Sequence, residues 1–349
     1  MPEENNSKIV IQDLIHKATE KVPRKYLIIA SREDRAGMSI VEELKQFGNY
    51  DIYITEKSML HNENLDMEKI KPYDFVIFAS KHQSEKKEKT LSVHSPGNWG
   101  EAKAGGGVGK VCRSSALFNK ELFEMLNHVA REHFFDSKYK VSLECTHHGP
   151  LINKPCVFIE IGSTETEWRD RKAAFIIAKA IHNTIKNFYE NPYREPAIGI
   201  GGPHYCPGFN KIQLGSNVAI SHVIPEYALP LTEEMVREAI EKTEEDVEFA
   251  VLDWKGLGGA ESRKQITDLL DKLYIRWKKI SQISKIPEDD LDEEMNKGNE
   301  EKMEETIEEK ETPKEAGENY QAEIMEMIDE TIKEKEDEES VEDKTETNN

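Results

Sequence analysis

The sequence predicts an α/β protein: a three-layer sandwich built on a mixed, largely parallel sheet. Short apolar runs rich in β-branched and aromatic residues alternate with longer amphipathic stretches along the chain. Runs of the first kind are typical of strands buried on both faces, and stretches of the second kind are typical of helices that cover a sheet. Alternation of the two favours helices packed on both sides of the strands.

The predicted elements follow one another in a regular order. Strands are expected at residues 25–31, 73–80, 156–162, 196–202, 217–224 and 249–254. Helices are expected at residues 36–47, 115–133, 165–188, 232–244 and 260–279. Thr232, followed by Glu233 and Glu234, resembles a helix start, because it combines an N-cap oxygen with acids in the first turn.

Charge divides the chain into unequal parts. The 349 residues carry a net charge of −21, yet residues 285–349 alone hold 27 Asp and Glu against 8 Lys. Residues 1–284 hold 41 acids against 39 Lys and Arg and are therefore nearly neutral. We predict an N-terminal extension at 1–22, one α/β domain at 23–284, and an acidic, disordered tail at 285–349, since so charged a segment has little to bury.

Composition also bears on the compartment. No stretch approaches the roughly 20 apolar residues of a membrane span, and the acidic N-terminus lacks a signal-peptide layout. The four cysteines are far apart in sequence and form no CxxC pair, which indicates reduced thiols. We predict a cytoplasmic monomer without an obligate protein partner.

Two glycine-rich segments resemble nucleotide loops but do not have their spacing. AKAGGGVGKV, at residues 102–111, has Ala104 and Val111 where a phosphate loop needs Gly and Ser or Thr. In GIGGPHY, His204 stands where a dinucleotide loop needs its third glycine. The sequence therefore argues against an NTPase or a dehydrogenase. The backbone N–H groups of these loops could still contact a phosphate, a ribose or an oxyanion.

Polar sequence follows most of the predicted strands. The segments read SREDRAG, SKHQSE, LSVHSPGNWG, ECTHHGP, EIGSTETEWRD, GGPHYCPGFNKI and SHVIPEY. Ligands of open α/β sheets bind beyond the carboxyl ends of the strands, so these segments predict one shared polar pocket.

Imidazoles and carboxylates concentrate in the same segments. Gly149 and Pro150 end the strand before them, which allows His147 and His148 to face one site. Such groups bind zinc and can activate water. The sequence has no HExxH or other tight ligand spacing, so hydrogen-bonded histidines without a metal remain an alternative. STETEWRD also has the composition of an ordinary helix N-terminus.

Taken in order, these motifs closely resemble the archaeal and plant type of D-aminoacyl-tRNA deacylase. The resemblance covers roughly residues 25–283 and depends on SREDRAGMSI, SKHQSE, LSVHSPGNWG, ECTHHGP, EIGSTETEW, GIGGPHYCPGF, SHVIPEYAL and VLDWKGLGGAESR. Cys145 replaces the alanine of the family pattern. The resemblance implies an α/β sandwich related to phosphorylase- and peptidyl-tRNA-hydrolase-like domains, and an esterase that uses two zinc ions per subunit. The implied substrate is D-aminoacyl-tRNA, cleaved at the ester to its 3′ ribose.

Roles within the site are then our inference. We expect His147, Glu144, His94 and Glu160 to be catalytic, and His94, His147, His148 and His204 to bind metal. Substrate contacts are expected from Gly105, Gly106, Gly107, Gly201, Gly202, Trp99 and Lys81. Basic clusters that could attract tRNA comprise Lys81, Lys86, Lys87, Lys89, Arg169, Arg171 and Lys172. A zinc-dependent amidohydrolase or peptidase and a non-catalytic RNA-binding protein are the alternative classes.

Overall fold

The computed structural model describes residues 24–62 and 67–286, and within them two β-sheets. The first sheet has six strands in the order β2-β1-β3-β6-β4-β5, and the second has four in the order β10-β9-β7-β8. The strands are β1 (Tyr26–Ser31), β2 (Ile52–Thr55), β3 (Phe75–Gln83), β4 (Thr90–His94), β5 (Lys140–Leu143), β6 (Cys156–Ser163), β7 (Glu195–Ile200), β8 (Val218–Ile224), β9 (Phe249–Leu252) and β10 (Trp277–Lys279).

Helices connect and cover these strands. They are α1 (Arg35–Leu44), α2 (Met67–Ile70), α3 (Ala116–Glu132), α4 (Glu165–Trp168), α5 (Arg171–Asn187), α6 (Pro207–Gly215), α7 (Glu233–Glu241) and α8 (Ala260–Lys272). Side-chain oxygens cap several of them: Asp34 accepts from the Gly37 amide, and Ser115 from the Phe118 amide. These caps satisfy amide groups that a helix start would otherwise leave without partners.

Strand direction confirms the predicted α/β class with a mixed, largely parallel sheet. Neighbouring strands of the first sheet are parallel except β4 and β6, which are antiparallel. All pairs of the second sheet are parallel. The division of the strands between two sheets was not apparent from the sequence, because strand pairing is a long-range property.

One apolar core joins the two sheets through α3. It includes Ile77 of β3, Leu122 of α3 and Val223 of β8, each buried. A second core lies between the second sheet and helices α7 and α8, and a third covers the opposite face of β1, β3 and β6. The strand ends that carry the polar segments are thereby fixed on a rigid frame.

Several predicted boundaries were wrong. The single helix expected at 165–188 is divided into α4 and α5, because Asp170 begins a new helix by accepting from the amides of Lys172 and Ala173. The helix expected at 260–279 ends at Lys272 and is followed by β10. β4, which reads TLSVH, was interpreted only as polar loop sequence.

The predicted extension at 1–22 lies outside the described residues, as does the tail at 285–349 apart from residues 285 and 286. The three-part division of the chain therefore stays a prediction. Among the described helices, none combines the length and the apolar character that crossing a membrane requires.

Candidate catalytic centre at the strand ends

Three side chains of the centre come from neighbouring strands of the first sheet. In the parallel pair of β3 and β6, Ser80 is opposite Glu160, and His82 is two residues further along. In the antiparallel pair of β4 and β6, Ser92 is opposite Glu160 and His94 is two residues further along. Because side chains alternate along a strand, His82, His94 and Glu160 lie on one face of the sheet.

Glycine at position 162 makes room for one of these histidines. Gly162 of β6 lies opposite His82 of β3. A Cβ atom at this position would lie 2.4 Å from Thr90 Oγ1 and 2.8 Å from His82 Cδ2. Any side chain would therefore displace the imidazole, so glycine is required by close packing.

The other members of the centre follow strands β5 and β7. β5 ends at Leu143, so Glu144, His147 and His148 are not constrained to alternate. His148 has a φ of 45°, which turns the chain at this point. The loop after β7, which carries His204, is held against the loop after β5, because the amide of Cys145 donates to the His204 carbonyl at 2.9 Å.

Glu144 and Glu160 are each approached by three imidazoles. Nearest to Glu144 are His82 Nδ1 at 3.3 Å, His147 Nε2 at 3.5 Å and His204 Nε2 at 3.0 Å. Nearest to Glu160 are His82 Nδ1 and His94 Nε2, both at 3.6 Å, and His148 Nε2 at 3.9 Å. All four predicted metal-binding histidines and both glutamates therefore share one cluster, together with His82.

Three of the four carboxylate oxygens of Glu144 and Glu160 are buried without a hydrogen bond from the described residues. Both oxygens of Glu144, one oxygen of Glu160 and His94 Nε2 lack a partner that meets hydrogen-bond geometry, although the imidazoles are close. A buried carboxylate normally accepts hydrogen bonds or binds a cation, since leaving it unpaired is costly.

The imidazole tautomers are arranged to present lone pairs to the cluster. His147 Nδ1 is 2.9 Å from the Cys145 carbonyl, His148 Nδ1 is 2.7 Å from the Gly149 carbonyl, and His94 Nδ1 is 3.2 Å from the Ser95 carbonyl. A carbonyl only accepts, so in each ring Nδ1 carries the proton and a neutral ring leaves Nε2 unprotonated. This second hydrogen bond is the one that orients metal-binding histidines.

Burial and neighbouring charges separate the pKa values within the cluster. Burial and the charge of His94 lower the pKa of His148 to about 4. Burial also lowers the pKa of His204, but its contacts with Cys145 and Glu144 outweigh burial and raise it to about 10. Burial raises the pKa of Glu160, yet the interactions with His82 and His94 prevail and hold it below the ordinary value.

The cluster opens to solvent on one side. The side chain of His204 is 32% exposed and that of His147 is 21% exposed, whereas His94 is fully buried. A substrate must therefore approach past His147 and His204. The deeper residues, Glu160 and His94, form the floor of the centre.

The donor atoms fit a divalent cation in more than one position. Sets of donors that lie within 4.8 Å of one another are His94, His147 and His148; His82, Glu144 and His204; His94, Glu144 and Glu160; and Cys145, His147 and His204. Nitrogen and carboxylate donors, with a thiol nearby, suit zinc. The unsatisfied carboxylate oxygens and unprotonated Nε2 atoms together fit the metal that the resemblance implies.

The glycines predicted to contact substrate differ in their contacts: Gly106 packs near the cluster, whereas Gly201 is hydrogen-bonded within the fold. Gly106 packs on Gly149, next to His148, where a Cβ atom would lie 3.2 Å from the Gly149 Cα. The amide of Gly201 already donates to the Ile224 carbonyl at 2.7 Å. That amide is engaged in the fold, which argues against Gly201 as an oxyanion donor.

Trp99 and Lys81 also have structural partners. Trp99 is buried, donates from Nε1 to the Val223 carbonyl at 3.0 Å and belongs to the second core. Lys81 places Nζ 4.8 Å from the ring centre of Trp168. The burial of Trp99 favours a role in packing, whereas Lys81 stays half-buried beside His82.

Sequence reasoning did not select His82, Tyr205, Cys145 or Tyr227. His82 Nε2 is 2.9 Å from the Tyr205 hydroxyl, which orients the ring. Cys145 Sγ is 3.5 Å from His204 Nδ1 and 3.0 Å from the Tyr227 hydroxyl. The alternation of Ser80 and His82 at the end of β3 was the available signal for His82.

The predicted basic clusters are partly neutralised. Arg169 pairs with Glu165 at 2.7 Å and Arg171 pairs with Glu43. Lys89 lies 3.4 Å from Glu167. Lys86 and Lys87 are exposed and pair with no acid in the described part of the chain, so their charges are not neutralised in this way.

An α/β frame whose strand ends bring glutamates and histidines into one buried, partly open cluster has the groups that a hydrolase requires. A family model described as D-aminoacyl-tRNA deacylase matches residues 69–278 of the chain. The chain belongs to the D-aminoacyl-tRNA deacylase family.

Relatives and a solved structure agree with this assignment. The D-aminoacyl-tRNA deacylase of Methanocaldococcus jannaschii is 35% identical over 263 residues, which are 73% of this chain and 100% of the relative. That of Pyrococcus furiosus is 35% identical over 275 residues, with 72% and 98% covered. The crystal structure of a conserved protein of unknown function aligns with a TM-score of 0.68 at 27% identity, covering 75% of this chain and 97% of that one.

Proposed function

We propose that the cluster around Glu144 and Glu160 is the hydrolytic centre at which this deacylase cleaves D-aminoacyl-tRNA. The observation that carries the proposal is the pair of buried carboxylates, which have several unsatisfied oxygens and are surrounded by five imidazoles. Hydrolysis of an ester requires a group that takes a proton from water, a donor to the leaving ribose oxygen and stabilisation of the oxyanion. The cluster holds the first two kinds of group in one opening.

The residues that would hold metal divide into two groups. One set of donors is His94, His147 and His148, and the other is His82, Glu144 and His204. When bound there, a zinc ion would supply the Lewis acidity that activates water near neutral pH and polarises a carbonyl. The chain contributes the orientation, because backbone carbonyls fix the three imidazoles with their Nε2 atoms inward.

A version without a tightly held metal uses the same atoms. His147 Nε2 would accept the proton of the attacking water, since its Nδ1 donates to the Cys145 carbonyl and Glu144 is 3.5 Å away. His204, the most exposed imidazole of the cluster, would face the leaving group. Neither the amidohydrolase nor the RNA-binding alternative is favoured by an observation in the described residues.

A cytoplasmic location and a monomeric state also belong to this proposal. The first follows from a substrate that serves translation, and the second is compatible with a cluster whose residues all come from one chain.

The decisive experiment compares D-tyrosyl-tRNA with L-tyrosyl-tRNA as substrates of the full chain, before and after dialysis against a chelator. We expect release of the D-amino acid only, with loss of the rate after dialysis and recovery with Zn²⁺. An intact rate after dialysis would reject the metal-dependent version. His147→Ala would then be expected to abolish the chelator-resistant rate. Failure to deacylate D-tyrosyl-tRNA under any condition would reject the proposed function.

A further inference from the structure

One exposed aromatic side chain has its polar end at the catalytic centre. Tyr227 lies in the short helical turn Glu226–Ala228, directly after β8, and is 62% exposed. Its hydroxyl is 3.0 Å from Cys145 Sγ. Cys145 follows Glu144 in the chain, and its Sγ is 3.5 Å from His204 Nδ1. The phenol therefore extends outward from the most accessible side of the cluster.

The backbone around Tyr227 is fixed to the same loop that carries His204. The Glu226 amide donates to the Gly202 carbonyl at 2.9 Å, and the Ala228 amide donates to the Pro225 carbonyl at 3.0 Å. The ring is thus held at both ends, by its hydroxyl and by its backbone, while the residue stays 62% exposed. Such a side chain loses little conformational freedom when a planar ligand stacks on it.

Other strongly exposed aromatic residues of the described chain lie elsewhere. Phe134 follows α3, Tyr193 precedes β7 and Tyr274 follows α8. None of these three segments contributes a residue to the cluster. Of the strongly exposed aromatic residues in the described chain, Tyr227 is therefore the one beside the cluster.

The chemistry of the substrate identifies what would lie beside this ring. The ester to be cleaved is carried by the ribose of the 3′-terminal adenosine, which is single-stranded, and the adenine is attached to that same ribose. Bringing the ester to the cluster past His147 and His204 brings the adenine to the rim on which Tyr227 stands. Proteins bind such unpaired bases mainly by stacking them on aromatic rings.

We propose that Tyr227 is the stacking platform for the 3′-terminal adenine of the tRNA and positions the terminal ribose, with its ester, over the cluster. The proposal rests on the proposed function for the identity of the substrate. It assigns Tyr227 to binding and positioning, since its hydroxyl is occupied by Cys145 and its ring carries no group that could transfer a proton.

The test measures binding of two uncharged tRNAs that differ only in the presence of the terminal adenosine, so that it does not depend on catalysis. The wild-type chain should bind the complete tRNA roughly 5- to 100-fold more tightly than the shortened one, as stacking of one base predicts. Tyr227→Ala should bind both with nearly equal affinity. Tyr227→Phe, which keeps the ring and loses the hydroxyl, should retain most of the preference, whereas Tyr227→Leu should lose it.

A control variant and a kinetic readout separate this role from a structural one. Tyr193→Ala removes a ring that is 73% exposed, in a segment that contributes no residue to the cluster, and it should leave the preference unchanged. With D-tyrosyl-tRNA, Tyr227→Ala should raise KM by a similar factor and change kcat little, at an unchanged Tm.

Three results would overturn the proposal. They are equal affinity of the wild-type chain for the two tRNAs, a full preference retained by Tyr227→Ala, and a loss in Tyr227→Phe as large as that in Tyr227→Ala. A wild-type chain that shows the preference but cleaves no D-tyrosyl-tRNA would instead contradict the proposed function.

Discussion

His82 lies between the two buried carboxylates, with Nδ1 3.3 Å from Glu144 Oε1 and 3.6 Å from Glu160 Oε2. One imidazole thus contacts both halves of the cluster, while its other nitrogen is 2.9 Å from the Tyr205 hydroxyl. Changes on either side of this ring should therefore affect the whole centre.

Glu160→Gln should reduce kcat/KM for D-tyrosyl-tRNA by at least about 100-fold, the usual range for loss of an acid–base or metal-binding group. The amide nearly preserves the shape of the side chain but removes the charge from the floor of the centre. Glu165→Gln changes an exposed glutamate of α4 and should leave the rate unchanged. A Glu160→Gln enzyme with the wild-type rate would show that the cluster is not the site of hydrolysis.

Metal removal should lower stability as well as the rate. Because a cation would satisfy the orphaned oxygens of Glu144 and Glu160, returning Zn²⁺ at about 100 times its Kd should stabilise the fold by about 2.7 kcal/mol. The measurement is Tm by differential scanning calorimetry, with and without Zn²⁺. The double variant Glu144→Gln/Glu160→Gln should lose this shift, and a shift of unchanged size would place the metal elsewhere.

Gly162→Ala should impair the centre without altering any member of it. The added methyl group would lie against Thr90 Oγ1 and His82 Cδ2, so we expect destabilisation by about 1–3 kcal/mol. Displacement of His82 should reduce the rate by roughly 10- to 100-fold. Gly100→Ala is the matched control, because a Cβ atom there would meet nothing within 4 Å. Urea unfolding and steady-state kinetics measure the two effects.

His222 should make stability depend on pH. This buried histidine is 3.3 Å from Thr146 Oγ1, and burial lowers its pKa to about 4. Between pH 6.5 and 4 the unfolded chain binds a proton that the folded chain does not, so stability is full above pH 6.5 and is lost as pH falls. From pH 7 to 5 the loss due to His222 is about 2 kcal/mol.

The check is the free energy of urea unfolding at pH 7 and pH 5, measured in the presence of chelator. His222→Gln should lose about 2 kcal/mol less than the wild type over this interval, and His61→Gln, at an exposed position, should behave as the wild type. An equal pH dependence in His222→Gln would show that folding does not lower the pKa of this imidazole.

Lys86 and Lys87 should contribute to tRNA affinity through their charge. The double variant Lys86→Gln/Lys87→Asn should weaken binding of all tRNAs alike and reduce the slope of log K against log salt by about 1–2. Lys264→Gln, which removes an exposed lysine of α8 paired with Asp268, is the control. An unchanged salt dependence would place the tRNA on another face.

The sequence predicts much of this site because its parts are local. His94, His147, His148 and His204 lie in polar segments that follow apolar runs, and strand ends of parallel sheets meet at one edge. The register that brings His82 beside Glu160 depends on pairing between β3 and β6, about 80 residues apart, which no local pattern encodes. The sequence assigns no role to Cys145, because only the fold places its thiol beside His204 and Tyr227.

The loop after β5 is bonded to both sheets, since Glu144 donates its amide to Val93 of β4 and Thr146 donates to Val223 of β8. A chain in which only the six-stranded half has condensed would hold Glu160 and His94 but lack His204. Because the centre is complete only when both sheets are in place, regain of deacylation on renaturation should report their joint assembly.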